Sequence, residues 1–490
     1  MYMSLNSLYI IKQMAKGGYW HDESGHEYVL LRGGIYSQHS QRQFQTQWEN
    51  ASVEMCNVMT WLGFGSRIRK ARRDAYMEND RLLNARYPGG FKIITTGSKA
   101  EGLTSFYESD TDNMFVNEDV MCLEDGLPGD MLPRETTLFT LNTGSCYHGH
   151  CRLLLKLRGT VICHNLRDAL YDDETGRSFL ISDSYIYVLN SATLGPGEVR
   201  HSRAGPSLPS SDGANRLDRV PSFVCDCPSI LQRWAERRRN WPPPDIVQKV
   251  VSLRAFVTPV GHKGSEFKYV EWRICFNTGE NKLVSSLNNT QVYIYVILKM
   301  VVKDILKPIK KEVTSYTVKN LVFWLAENNH QECFTEKNLF NWLCEGLREL
   351  RTALSTTNLS YYMIPERNLI DSCGMNEKQQ RTWVEKIGDM VNEGPKLLLR
   401  LPKIRQSIVS HPVPLFWYGQ RRLEIELLVL KCINRREQCL VVDGVVNESD
   451  SMQNSILIRI VQILREVRQR MIEEGSCVNY LNEIFERMLM

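Results

Sequence analysis

Two aspartates, Asp110 and Asp112, stand two residues apart in a stretch, 110–116, whose composition predicts a strand. Side chains two apart on a strand leave the same face, so the two carboxylates would stand side by side. Like charges held that close repel each other unless a cation is bound between them. An oxygen pair of this kind suits Mg²⁺, which takes one or two carboxylates together with substrate phosphates. Upstream, Gly97-Ser98 reads as a turn that offers backbone N–H groups and a hydroxyl to a phosphate. A phosphate cradle plus a strand-borne metal pair is what nucleotidyl transfer needs: one ion activates the attacking hydroxyl, the other neutralises the triphosphate as pyrophosphate leaves. A DxD by itself is more often a solvated strand edge. The Gly-Ser turn and the strand context set this one apart.

The elements that must hold these groups follow from the pattern around them. A helix is expected over 41–86, ended by Tyr87-Pro88-Gly89-Gly90, then strands at 91–95 and 110–116. Further strands are expected at 152–161, 184–188, 253–260 and 270–276, with 190–218 a long Gly/Pro/Ser-rich connection. Helical spacing governs 289–307, 317–328, 336–353 and 452–472, so a mixed α/β half precedes an all-helical half, with 395–450 a linker or a further helical segment. No repeat of 20–50 residues is present. The chain has 490 residues, 60 Lys plus Arg against 56 Asp plus Glu, and a net charge of +4; with 43% hydrophobic residues, it is neither a disordered chain nor a polybasic tail. The amino terminus reads as lacking a secretory signal, and the apolar run 292–302, interrupted by Lys299, is too short to span a bilayer. The 14 cysteines are scattered, which fits reduced thiols and a cytoplasmic protein without membrane attachment. Cys146, His148, His150 and Cys151 lie too close together for the paired ligands of a structural zinc site and read as a turn entering a strand.

The segment GSKAEGLTSFYESDTDNMF at 97–115 resembles the signature of the cyclic GMP-AMP synthase-like receptors and their Mab-twenty-one-like relatives. RHSRAGPSLPSSDG with LDRVPSF, WAERRRNWP, VEWRICF, VILKMVVKDIL and TSYTVKNLVFWL follow in the family's order, so the resemblance covers about residues 45–350. It implies an α+β, bilobed nucleotidyltransferase fold with a twisted mixed β-sheet core and a C-terminal helical bundle. The corresponding segments are an N-terminal extension (1–40), the nucleotidyltransferase core (41–285), a helical lobe (286–394) and a helical extension (395–490). It further implies that Asp110, Asp112 and Asp218 hold Mg²⁺ or Mn²⁺ and are catalytic, with Asp212 a nearby competitor for Asp218. Gly97 and Ser98 would bind the triphosphate, Arg273 the acceptor nucleotide, and Lys299 and Ser315 the donor. Taken singly, Lys299 reads equally as a surface lysine lying along its helix, Ser315 as a helix cap, and Arg273 as a partner for a surface acid.

The stretch 277–291, where the vertebrate enzyme carries a zinc-binding insertion, has neither Cys nor His, so no structural zinc is expected. The zinc-less members of the family point to double-stranded RNA as activator. Arg67, Arg69, Lys70, Arg72 and Arg73 crowd one stretch of the long helix, where phosphates could be neutralised without regard to sequence. Arg233, Arg237, Arg238 and Arg239, and Lys299, Lys303, Lys307, Lys310 and Lys311, form two further clusters; charge runs of this kind are usually solvated helix faces. The expected function is a nucleic-acid-activated enzyme that makes a cyclic dinucleotide from ATP and/or GTP in innate immunity. The alternatives are a non-catalytic Mab-twenty-one-like scaffold or developmental protein, and an enzyme that extends RNA ends.

Overall fold

A computed structural model describes residues 38–129, 132–160, 162–190, 197–213, 215–307, 313–371, 374–443 and 450–489, with side chains from Trp48 onward. Lys310 and Lys311 lie outside the described residues, as do residues 1–37 of the expected extension over 1–40. The fold is α+β: eleven strands belong to one mixed sheet, and helices dominate from Asn277 onward. Two compact units partition the chain. One takes the described part of 1–64 with Asn288–Leu359 and Cys373–Phe416; the other takes Gly65–Leu287, Ser360–Ser372 and Trp417–Met490.

The helix expected over 41–86 is two helices, Gln38–Met59 and Ser66–Arg86. Between them Gly63 has φ 91°, a left-handed conformation that interrupts the i→i−4 ladder and that glycine adopts at little cost. The boundary between the two units falls at the same place.

The sheet unit contains strands β1 (Phe91–Thr96), β2 (Thr111–Glu124), β3 (Thr137–Asn142), β4 (His150–Leu157), β5 (Leu170–Asp172), β6 (Ser178–Leu180), β7 (Glu198–Arg200), β8 (Leu208–Asp212), β9 (Asn215–Asp226), β10 (Ala255–Thr258) and β11 (Glu271–Cys275). Its pairings close on themselves, running β2, β3, β4, β11, β10, β9 and back to β2. β2 is parallel to both β3 and β9, and β1 is antiparallel to its first half. Closure leaves β2 paired on both sides along most of its length, which fits the buried Met114, Val116, Val120 and Cys122.

Two expectations fail in this unit. The stretch 184–188 is not a strand but part of helix Ser182–Asn190. Tyr185 packs there against the rings of Phe223 at 5.1 Å and Trp272 at 5.6 Å, and that packing overrides the β-propensity of a five-residue apolar run. Likewise 190–218 is not one long loop: it supplies β7, β8 and the start of β9. Strand β3 was not expected at all.

The helical unit is built around Asn289–Met300. Every side chain from Thr290 to Leu298 is buried, so this helix is apolar all round rather than amphipathic. Asn288 caps it, accepting from Gln291 N at 2.9 Å while the Gln291 side chain accepts from Asn288 N at 3.0 Å. Helices Ser315–Asn328, Leu339–Thr356, Glu377–Glu393 and Pro402–Val409 complete the unit.

Helix Val413–Asp443 runs on into the sheet unit, followed by Ser451–Glu473 and Leu481–Arg487, so 395–450 is largely helical. Ile463, Val467 and Met471, spaced four apart, bury against Tyr418, Ile425 and Met488. The apolar stripe seen in the sequence extends further than this buried face: Leu457 and Val461 stay exposed. Among the described residues, no helix is long and apolar enough to cross a membrane.

Candidate active site

The site is built on the start of β2. Asp110 ends the preceding loop and Asp112 is the second residue of the strand. Ser109, with φ 60°, turns the chain into β2 in a conformation that a non-glycine residue adopts only at a cost of about 1 kcal/mol or more. Asp112 has two neighbours in the sheet. Thr96 of β1 stands opposite it and donates its hydroxyl to the Asp112 carbonyl at 3.2 Å, while Asp218 of β9 is its direct partner on the other side. In a parallel pair at matched register, the two side chains share a face. Asp212 pairs instead with Asn215 at the far end of the β8–β9 hairpin. The register therefore sets Asp218, and not Asp212, beside Asp112.

Gly97 lies against the Asp112 carboxylate. The expected turn at Gly97-Ser98 is a single helical turn, Gly97–Ala100, entered with Gly97 at φ 64°. A Cβ built on Gly97 would lie 2.2 Å from Asp112 Oδ2. Only a residue without a side chain allows the carboxylate to approach the Gly97 backbone that closely. All three carboxylates are half-buried. Among the described residues, no three His, Cys, Asp or Glu side chains gather as a metal-binding group, so Asp110, Asp112 and Asp218 share a neighbourhood without converging. As all-oxygen donors they nevertheless match what a hard divalent cation takes.

The strand leading into Gly97 is anchored by helix Ser66–Arg86. Asp80 accepts from Thr95 N at 2.8 Å and from the Thr95 hydroxyl at 2.5 Å, and burial raises its pKa. Asn84 makes a two-way bond with the Ile93 backbone, at 2.7 and 2.8 Å. On the other side of Gly97, Lys99 is 1% exposed and donates to the carbonyls of Ser105 at 2.6 Å and Phe106 at 2.8 Å. Burial lowers its pKa to about 8. Sequence reasoning missed Asp80, Asn84 and Lys99; the signal available for Lys99 was its place directly after Gly97-Ser98.

Arg273 lies on β11, three pairings from β2 by either route around the ring, opposite Thr258 and His150. Burial is the main reason that His150 is held down to about 3, with the positive field of Arg367 and then Arg273 adding to it. Lys299 and Ser315 belong to the helical unit. Lys299 lies over the Tyr295 ring at 5.4 Å. Ser315 is exposed at the first helical position, and the capping expected of it falls to Thr314, in a capping box with Thr317.

The basic row on helix Ser66–Arg86 divides. Arg67 and Lys70 are exposed, and Lys70 pairs with Asp74 at 2.6 Å. Arg73 is half-buried and donates to the Glu101 carbonyl at 3.4 Å. Arg69 and Arg72 do not fit the expectation, being 5% and 2% exposed. They share the inward face of the helix with Ile68 and Tyr76. Arg72 is engaged in a two-pronged bond to Glu426, Nε to Oε1 at 2.8 Å and Nη2 to Oε2 at 2.7 Å. A guanidinium committed in this way has no face left for a phosphate. In the second cluster, Arg237 lies over Tyr362 and Arg239 over Trp234, while Arg233 and Arg238 stay exposed.

Residues 291–389 match the family described as the Mab-21 protein HhH/H2TH-like domain. The matched stretch begins in the buried helix Asn289–Met300 and ends in Glu377–Glu393; it contains none of the eleven strands and none of the three aspartates. It supports a relation to the Mab-21-like, nucleotidyltransferase-type proteins. Comparison with curated proteins gives no match.

Proposed function

We propose that the chain is a nucleotidyltransferase that joins two nucleoside triphosphates, ATP and/or GTP, into a cyclic dinucleotide when double-stranded RNA or another nucleic acid binds to it. The observation that carries this reading is the register of β2 against β9, which sets Asp218 beside Asp112 although 105 residues separate them in sequence. Gly97 lies directly against the Asp112 carboxylate, and the Mab-21-type match in the helical half agrees with the reading.

In this reading Asp110, Asp112 and Asp218 hold Mg²⁺ or Mn²⁺, which supplies neutralisation of the triphosphate and a lowered pKa for the attacking hydroxyl. Asp218 also accepts the proton of that hydroxyl. The backbone around Gly97 and Ser98 receives the triphosphate, and Arg273 orients the acceptor nucleotide. Lys299 and Ser315 are assigned to the donor by the sequence resemblance alone. On helix Ser66–Arg86, the exposed Arg67 and Lys70 are assigned to a nucleic-acid backbone; Arg69 and Arg72 are withdrawn from that role. Innate immunity as the setting rests on the same resemblance.

A second reading, a Mab-21-type scaffold without catalysis, is equally compatible with the match at 291–389. One experiment separates the two. Purified protein is incubated with the four triphosphates, Mg²⁺ or Mn²⁺, and double-stranded RNA or DNA, and the products are resolved by mass spectrometry. A cyclic dinucleotide is expected, abolished by Asp218→Asn and by Asp110→Ala with Asp112→Ala but retained in Asp212→Asn. Folded protein that makes no product under any combination refutes the enzyme and leaves the scaffold. Nucleotides added to an RNA primer would identify an RNA-end enzyme instead.

A further inference from the structure

We infer that Glu426, on the C-terminal helix Val413–Asp443, is a positioning residue for the segment that joins Gly97 to Asp110, and that the C-terminal helices act as the mount of the candidate active site. The kinetic part of this inference rests on the nucleotidyl-transfer reading; the structural part does not.

The peptide units of that segment are held from two sides. Glu426 Oε1 accepts from the Phe106 backbone N–H at 3.0 Å, and Lys99 Nζ donates to the Phe106 carbonyl at 2.8 Å. The same Glu426 carboxylate binds Arg72, whose Nη1 donates to the Gly102 carbonyl at 3.2 Å. One buried carboxylate from 320 residues further along the chain thereby fixes both ends of the stretch 102–106. Glu426 is fully buried, and a charge taken out of water is tolerated only when its hydrogen bonds are well made. Its oxygens meet the guanidinium and one backbone N–H of the segment that precedes Asp110.

The neighbouring contacts reinforce this. Tyr107 packs on Phe485 with ring centres 5.4 Å apart. Arg422, one helical turn before Glu426, is buried and donates to the Met488 carbonyl at 2.6 Å, tying the last helix to the same place. A nucleotidyl-transfer site depends on carboxylates held to within a fraction of an ångström, so the support of their loop bears directly on rate.

The test uses the full chain and two variants. Glu426→Gln is isosteric but removes the charge that Arg72 faces. Arg72→Met with Glu426→Leu removes both charges, so that neither is left buried and unpaired, and it deletes both bonds to 102–106. Glu437→Gln, which breaks the Arg86 pair on the same helix, is the control. Hydrogen–deuterium exchange is read at the Phe106 amide. The expected result is at least about tenfold faster exchange in the double variant, a smaller acceleration in Glu426→Gln, and no change in the control. In the turnover assay, kcat should fall roughly ten- to a hundredfold in the double variant, with KM altered less than about threefold. Wild-type protection at Phe106 in both variants would overturn the inference, as would full kcat in an enzyme whose loop has been loosened. Wild-type protein without turnover sinks the enzymatic reading instead, and the exchange measurement still decides the role of Glu426.

Discussion

The closest geometric test of the site is Gly97→Ala, set against Gly89→Ala. Both glycines have positive φ, 64° and 99°, so alanine at either position is strained by about 1–2 kcal/mol. They differ in what a methyl group meets. At Gly89 nothing lies within 4 Å, whereas at Gly97 the new Cβ would fall 2.2 Å from Asp112 Oδ2, 0.8 Å inside the 3.0 Å that real Cβ atoms respect. The Asp112 carboxylate must swing off its rotamer, or β1 must separate from β2; the first course costs about 0.5–1.5 kcal/mol more. Gly97→Ala should therefore lower stability by about 1.5–3.5 kcal/mol and Gly89→Ala by about 1–2 kcal/mol, read from urea midpoints at unchanged slope. Displacing Asp112 should also reduce nucleotide turnover about a hundredfold or more in Gly97→Ala, with Gly89→Ala near wild type. If the two variants lose the same stability and the same activity, Asp112 does not lie against Gly97 and the site has been misassembled.

Two further outcomes follow from the charges. Reversing the exposed Arg67 and Lys70 (Arg67→Glu, Lys70→Glu) should weaken double-stranded RNA binding and lower the slope of log affinity against log salt by about one for each phosphate no longer neutralised; an unchanged slope would move the interface off this helix. Because folding depresses the His150 pKa to about 3, the unfolded chain binds more protons from about pH 6.5 down to about pH 3. The contribution of His150 is therefore fully present above pH 6.5 and is lost as the pH falls through that window, with a slope of about 1.4 kcal/mol per pH unit. Urea unfolding of His150→Asn across that window should show a correspondingly shallower loss, and parallel curves for the two proteins would contradict the burial argument.

Much of the frame can be read along the chain. β1, β10 and β11 carry short runs of β-prone residues, the helix near 452–472 carries the 3.6-residue period, and the helix near 289–307 shows as a continuous apolar run, because burial on one face or all round leaves a local composition signal. The expected strand over 110–116 is met for Asp112, whereas Asp110 ends the loop before β2, where the strand period does not apply. Elsewhere, local pattern and tertiary packing diverge. Residues 184–188 have strand composition but form a helix because Tyr185 completes an aromatic cluster with Phe223 and Trp272. Strands β7 and β8 sit in Ser- and Pro-rich sequence, and they become strands by pairing in the sheet rather than through propensity.

By itself, then, the sequence determined that carboxylates, a glycine turn and a row of arginines are present. Tertiary structure alone decided which of them work together. Asp218 meets Asp112 because β2 and β9 pair in parallel at one register, and a shift of one residue would turn it to the other face. Arg72 looks like its neighbours in a charge count, but it sits on the inward face of its helix, where Glu426, distant in sequence, supplies the carboxylate that makes a buried guanidinium tolerable. Pairs of that separation have no local signature, since the two residues share no period, no turn and no cap.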